Sequence, residues 1–424
     1  MSNELSADGR NGWARGDRRW IAVTYFLFAA APGCWFPVLS SALEAQGWGE
    51  YKTIVFLTIP ISGLLSPLTI GAFADQRFPA EKVLAFLVGG GSIFLWLAFD
   101  LLEKANDPRL FIAALMLNGL ISGPCWSLIN SIAFSHLPNP SRDFGRYRVW
   151  ATFGWMGAGL LISGLALDAS PQAGKVAVWL RLLAFGAALM LPITLPKGKA
   201  SASLSDRLGL GAFKMLRQRD IAVYALTASL ITIPISAFYL HTPLQLKELG
   251  LNSFAGGMTI GQLVESVAMI GMGALLLRFR LKWLFVFALV CGVLRYAFYA
   301  MGAHWGSWQL VLLGVALNGI SWALFFEAGR VFVDRRVEQG MRSQSQALLG
   351  ILSGGIASII GTWVVGVIYK QVVETEGGAG WVAYWLILTA MCVVGTLIFI
   401  IGYKGDPAGK FSEKEGNKAT GSRS

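Results

Sequence analysis

The sequence predicts an all-α membrane protein of twelve transmembrane helices in two six-helix bundles, and three observations predict it. Twelve apolar stretches, each long enough to cross a bilayer, fill nearly the whole 424-residue chain. Crossing a hydrocarbon core of roughly 30 Å takes about 20 helical residues. None of the stretches alternates with period two, and in lipid only helices or closed barrels satisfy every backbone N–H and C=O, so helices are predicted. Composition agrees, with a mean hydropathy of +0.57, 55% hydrophobic residues and only 14% charged residues, where a soluble domain carries about 25%. The longest polar interruption, Lys197–Asp220, leaves six stretches on either side of it.

The elements follow in order. Residues 1–19 are polar, and the apolar run after them is too long for a signal-peptide core, so the first span is predicted as an uncleaved anchor. Residues 20–196 form the first bundle, with spans at Trp20–Leu43, Thr53–Phe73, Val83–Leu102, Leu110–Ala133, Val149–Leu167 and Val176–Leu195. Residues 197–220, rich in Lys, Arg, Ser and Gly, form a cytoplasmic central loop. Residues 221–403 form the second bundle, with spans at Ile221–Pro243, Phe254–Leu277, Trp283–Ala303, Leu310–Val333, Ala347–Tyr369 and Trp381–Tyr403. The tail, 404–424, is Gly, Lys, Glu and Ser in composition and is predicted to be disordered.

Charge gives the orientation. The net charge of +11 is concentrated on one side of the predicted spans. That side holds Arg10, Arg15, Arg18, Arg19, Arg77, Lys82, Arg142, Arg146 and Arg148, the basic residues of the central loop, Arg278, Arg280, Lys282, Arg335, Arg336, Arg342 and the lysines of the tail. The opposite side holds only Lys52, Lys104, Arg109, Lys175, Arg181, Lys247 and Lys370. Positive loops stay in the cytoplasm, which places both termini there, and an even number of spans independently requires them to share a side. This distribution points to a multi-pass protein of the plasma (inner) membrane, with the lipid bilayer and not nucleic acid as its partner. Cys34, Cys125, Cys291 and Cys392 all fall in apolar segments and read as small buried hydrophobes, not as a disulfide framework or metal site. Fifty glycines include the four-residue pairs Gly257/Gly261 and Gly350/Gly354, a spacing that lets membrane helices approach closely.

Two stretches carry a resemblance. Gly71, Asp75 and Arg77, between the second and third spans, are similar to the short signature of major facilitator transporters: a tight helix end with an acid and a base free to pair across neighbouring helices. The run Phe144-Gly-Arg-Tyr-Arg148-Val-Trp-Ala-Thr152-Phe-Gly-Trp155 resembles the start of the fifth helix in the nucleoside:proton symporter family of that superfamily. Gln262-Leu-Val-Glu265, Val331-Phe-Val-Asp-Arg-Arg and Met341-Arg-Ser-Gln-Ser-Gln346 extend the likeness into the second half. The resemblance implies the major facilitator fold, with the first, fourth, seventh and tenth spans lining a central cavity and the fifth and eighth supplying polar groups. It implies proton-coupled import of a nucleoside by a monomer without cofactor or metal. It places Arg148, Thr152, Trp155, Gln262 and Glu265 against the substrate. The family's tenth-helix aromatic positions are occupied here by Asn318 and Trp322, and the acid expected next is Ala323. Where the family's seventh helix offers amides, the corresponding stretch here, Leu230–Ser236, has only Thr232 and Ser236 as polar groups.

The residues themselves fit that chemistry. Arg148, Thr152 and Trp155 are spaced i, i+4, i+7 and share a helical face, as do Gln262 and Glu265. A mid-membrane charge costs at least about 2.5–3.5 kcal/mol unless it faces water or a partner, and Arg148 and Arg295 are both candidate partners for Glu265. An amide and a carboxylate suit ribose hydroxyls, and Trp155 and Trp322 suit the face of a base. A sugar would use the same inventory, and a non-transporting sensor could be built on the same fold. Glu265 is the first candidate to carry a proton and Glu327 the second, although Glu327 can instead pair with Arg330 at i, i+3. No nucleotide-binding loop is present, and His136, His241 and His304 are scattered without ligand spacing, so neither ATP-driven pumping nor catalysis is predicted.

Overall fold

In the computed structural model the described residues are 15–137, 140–194, 210–338 and 341–405; the side chains of 15–17, 67–77, 140–142 and 210 lie outside the description. Among the described residues there are helices and no strands. Twelve helical rods succeed one another among the described residues, and the fold is the predicted all-α class. We number them α1 (Arg15–Trp35, followed by a short helix Leu39–Ala45), α2 (Lys52–Arg77), α3 (Ala80–Glu103) and α4 (Pro108–Ser122 and Cys125–His136). Next come α5 (Pro140–Gly164), α6 (Gln172–Leu189), α7 (Arg219–Ile235 and Ala237–Glu248), α8 (Phe254–Arg278) and α9 (Leu281–Trp305). The last are α10 (Trp308–Ser321, Trp322–Glu327 and Ala328–Arg336), α11 (Arg342–Leu349, Gly350–Ala357 and Ser358–Glu376) and α12 (Gly380–Gly402). Nine described stretches are long and apolar enough to cross a membrane, one of which, Arg342–Gly402, contains both α11 and α12.

Local chemistry sets several ends. Asp107 accepts a hydrogen bond from the Arg109 N–H at 2.8 Å, and Pro108 occupies the first helical position of α4, where its missing N–H costs nothing. Gly306 ends α9 with φ +67, a left-handed conformation that glycine adopts without strain. Two carboxylates bind backbone at rod ends in the same way. Glu81 at the start of α3 accepts the Thr194 N–H beyond α6 at 2.8 Å. Asp220 at the start of α7 accepts the N–H groups of Lys404 and Gly405 beyond α12 at 3.0 and 3.1 Å.

Five rods are interrupted where hydropathy predicts continuous spans. In α1 the break is Phe36–Val38, in α4 it is Gly123–Pro124, and in α7 it is Ser236, two residues after Pro234. Trp322–Glu327 of α10 and Gly350–Ala357 of α11 widen to π-helix. Other boundaries shift as well. The helix α5 starts nine residues before the predicted span, so Arg148 lies inside it, and α2 runs through Arg77 where a loop was expected. Of Gly71, Asp75 and Arg77 only the backbone is described. Part of the predicted central loop is helical, at Leu210–Arg217, while 197–209 and 406–424 fall outside the described residues.

The chain divides into two compact units. The first comprises Met1–Leu204, Tyr239–Leu244 and Asn252–Gly257, and the second Ser205–Phe238, Gln245–Leu251 and Met258–Ser424. In the first, α1 packs on α5 with no room for side chains at Gly33 and Gly154: a Cβ at Gly154 would overlap the Phe26 carbonyl oxygen. A second close seam joins α2 to α4, where Ser62 and Ser66 face Gly119 and Gly123, and the Ser66 hydroxyl donates to the Leu120 carbonyl at 2.8 Å. In the second unit Gly261 and Gly319 bring α8 against α10, with a Cβ at Gly319 overlapping the Gly261 oxygen. Gly350 and Gly354 make no such approach; that predicted small-residue seam is instead the π-helical stretch of α11.

Arg181 corrects the charge count. It is not a loop residue but sits within α6, 5% exposed. Its Nε donates to the Val88 carbonyl at 3.1 Å, Nη1 to Asn118 Oδ1 at 2.8 Å and Nη2 to the Ser122 hydroxyl. Removing it from the sparse side sharpens the charge asymmetry on which the expected orientation rests. All four cysteines are buried and free, as predicted.

Candidate functional site

The first unit gathers aromatic rings around the polar face of α5. The guanidinium of Arg148 lies over the Trp126 ring at 4.7 Å and the Tyr25 ring at 5.9 Å, an arrangement in which the ring quadrupole partly replaces water around the cation. Tyr25 from α1 donates its hydroxyl to Asn130 Oδ1 of α4 at 2.7 Å, which fixes that wall. About 10 Å further along α5, at seven residues of 1.5 Å rise, Trp155 meets Phe36 (ring centroids 6.3 Å) and Tyr239 (6.1 Å). Phe36 and Tyr239 are themselves 4.7 Å apart. Thr152 is half-buried on the same face, between the cation and the aromatic group.

In the second unit the close approach of α8 and α10 sets the geometry. A Cβ at Gly319 would press on the Glu265 backbone N at 2.6 Å, so α10 meets the α8 turn that carries Gln262 and Glu265. Both of these are half-buried. Asn318 Oδ1 accepts a hydrogen bond from Arg295 Nη1 of α9. Arg295 is 0% exposed and also covers the Tyr296 ring at 4.2 Å, while its Nε and Nη2 are buried without hydrogen-bond partners. The bond from Arg295 uses one lone pair of the Asn318 oxygen, and the NH₂ group of the same amide carries two donors. Trp322 stacks on Phe326, at 4.8 Å and 27°, in the π-helical stretch of α10, a distortion frequent at functional sites.

The two candidate partners of Glu265 therefore have described contacts of other kinds: Arg148 with rings, Arg295 with Asn318 and Tyr296. Glu327 pairs with Arg330 at 3.1 Å, with side-chain exposures of 24% and 57%, the intrahelical alternative. Thr232 and Ser236 both donate to carbonyls of their own helix, Ala228 at 2.8 Å and Thr232 at 3.1 Å, so the two polar groups of the stretch Leu230–Ser236 donate locally. Ala323, at the place of the expected acid, is fully buried. Sequence reasoning missed Tyr25, Trp126, Phe36 and Tyr239, whose roles depend on partners far away in the chain. Among the described residues no three His, Cys, Asp or Glu side chains gather into a metal-binding group.

The profile of the family described as "Nucleoside H+ symporter" matches residues 19–407. The chain belongs to this family. Among its relatives, the Escherichia coli protein named "Putative nucleoside transporter YegT" is 30% identical over 404 residues, covering 90% of this chain and 92% of its own. The nucleoside permease NupG of the same organism is 25% identical over 406 residues, covering 91% and 95%. A crystal structure of NupG superposes with a TM-score of 0.83 at 23% identity, covering 91% of this chain and all of the other. At that identity the structural likeness establishes the fold, and it is the family's twelve-helix fold that the rods α1–α12 follow.

Proposed function

We infer that this symporter-family chain is a secondary transporter that imports nucleosides together with protons by alternating access. Family membership over nearly the whole chain carries that reading, and the geometry supports it. The interrupted rods include α1, α4, α7 and α10, the four expected to line the cavity. Irregular backbone at membrane depth is tolerated only where protein or a wet cavity surrounds it, and broken helices recur at transporter binding sites. On this reading Arg148, Thr152, Trp155, Gln262, Glu265, Asn318 and Trp322 are the substrate-binding residues. Trp155 and Trp322 stack on the base, Gln262 and Glu265 bind ribose hydroxyls, and Asn318 donates its NH₂ to a base carbonyl. Glu265 carries the proton, since the exposed Glu327–Arg330 pair is already neutralised. The protein resides in the inner membrane as a monomer with cytoplasmic termini, its bundles being 20–196 and 221–403.

Radiolabelled uridine uptake, challenged with other nucleosides, free bases and sugars, tests the substrate. Uridine or adenosine should enter and compete; a sugar that enters while neither nucleoside does would overturn the assignment. Asn318→Asp tests the donor. The new carboxylate pairs with Arg295 but has no NH₂, so nucleoside affinity should fall about tenfold, the equivalent of one hydrogen bond of about 1.4 kcal/mol. An unchanged KM would place Asn318 outside the site.

A further inference from the structure

The amino end of α8 is held by side chains from the end of α5 and from the turn between α5 and α6. Asp168 Oδ1 accepts the Ala255 N–H at 2.7 Å and the Ser163 hydroxyl at 2.7 Å. Ser163 Oγ in turn accepts the Gly256 N–H at 2.8 Å, and a Cβ at Gly256 would meet that oxygen at 3.1 Å. The first-turn amides of a helix have no intrahelical acceptor, and the positive end of its dipole favours an anion. Here both acceptors come from about ninety residues away in the chain. The helix also changes unit at this point: Asn252–Gly257 groups with the first unit and Met258 onward with the second.

One feature of the cap is poorly suited to a permanent staple. Asp168 is 4% exposed, yet Oδ1 takes both hydrogen bonds while Oδ2 is buried without a partner. A half-satisfied buried carboxylate forfeits much of what its bonds contribute, and hydration on release would satisfy both oxygens. The free energies of the capped and released states are thereby brought close together.

We propose that Asp168, with Ser163, is a positioning residue of the transport cycle, a releasable cap that holds the first turn of α8 and lets it go when that helix moves. The inference rests on the reading of α8 as the helix that carries Gln262 and Glu265 to the substrate. Release is linked to protons. Burial raises the Asp168 carboxyl above the ordinary carboxylate range, and the bonds from Ala255 and Ser163 only partly oppose this. No charged group on the surrounding elements contributes to that shift. Lys175 of α6 is bound to Glu103 and lies near Asp100, both of α3. Asp143, Arg146 and Arg148 lie toward the other end of α5, and Glu265 is about 15 Å along α8 from Ala255. Because the capped carboxyl binds a proton more tightly than a hydrated one, lowering the pH through its range favours the cap and raising it favours release.

Hydrogen–deuterium exchange of the full-length protein, followed at Ala255 and Gly256 and corrected for intrinsic rates, reads the cap without substrate. Asp168→Ala should speed exchange at both amides about tenfold, the equivalent of one hydrogen bond. Asp168→Asn keeps an acceptor oxygen and cannot ionise. It should stay as protected as the acid form of the wild type, with the wild type's pH dependence abolished and with slower uridine uptake at unchanged KM. Ser163→Ala should free Gly256 more than Ala255, and it serves if Asp168→Ala fails to fold. Protection in Asp168→Ala equal to the wild type, or the same pH profile in wild type and Asp168→Asn, would overturn the proposal and leave a static clamp. Failure of the nucleoside reading would appear separately, as wild-type protein that caps normally but takes up no uridine.

Discussion

Glu265→Gln should abolish uphill accumulation of nucleoside while preserving binding and exchange. The substitution keeps the size of the side chain and most of its hydrogen bonding but removes the group that titrates. A symporter without its proton carrier still alternates, so internal and external nucleoside should settle at a ratio of about one whatever the pH gradient. The measurement is uptake into vesicles with and without an imposed gradient, together with counterflow in its absence. Two other roles for Glu265 give different patterns. If it only binds ribose, KM rises while pH-driven accumulation persists. If it is only a structural charge, the variant expresses poorly and melts early, because breaking a buried pair costs about 3–5 kcal/mol. Accumulation that remains pH-driven in a well-folded Glu265→Gln protein would shift the role to Glu327.

What the sequence discloses depends on the length over which a physical signal is averaged. Twelve spans were legible because burial in lipid is enforced over about 20 residues at a time, and single interruptions do not alter such an average. The breaks at Gly123–Pro124 and near Pro234 carried a local signal, since proline removes an N–H and clashes with the preceding turn. The π-helical stretches at Trp322–Glu327 and Gly350–Ala357 carried none that pattern reasoning reads. Charge counting put Arg181 on the sparse side although it falls within the span Val176–Leu195, because composition alone cannot see that Val88, Asn118 and Ser122 supply three acceptors inside the bundle. Glycine spacing was similarly ambiguous: Gly261 packs tightly, Gly350 and Gly354 do not, and the tighter Gly119/Gly123 seam was recognisable only once Ser62 and Ser66 were placed opposite it. At the site, the shared faces of Arg148/Thr152/Trp155 and Gln262/Glu265 follow from helical period. The hydrogen bond of Asn318 to Arg295 is a tertiary fact that no helical period discloses.

Arg181→Ala should be among the most destabilising single substitutions in the first unit. The guanidinium joins α6 to the Val88 carbonyl of α3 and to Asn118 and Ser122 of α4, and Gly91 of α3 leaves the room it occupies. Truncation leaves a cavity and removes three hydrogen bonds from a charged donor, each worth about 1.5–3 kcal/mol. Against that stands the relief of burying a cation with no carboxylate beside it, a penalty of several kcal/mol. The balance differs by variant. In Arg181→Ala the cavity and the weakened Asn118 interactions add to the lost bonds, for a net cost of about 3–5 kcal/mol. Arg181→Met fills much of the space, relieves the desolvation and should cost less. Combining Arg181→Met with Asn118→Leu removes the stranded acceptor as well and should recover most of the remaining loss, as replacing a whole buried polar group with apolar residues often does. Thermal midpoints in one detergent would rank the three, and equal midpoints for Arg181→Ala and the wild type would exclude a structural role. The effect should reach the site too, because Gly123–Pro124 and Trp126 directly follow Ser122 in α4. A loosened α4 loses its fixed wall beneath Arg148, so folded Arg181→Ala protein should show a raised KM, and the double variant should restore it in step with its thermal midpoint.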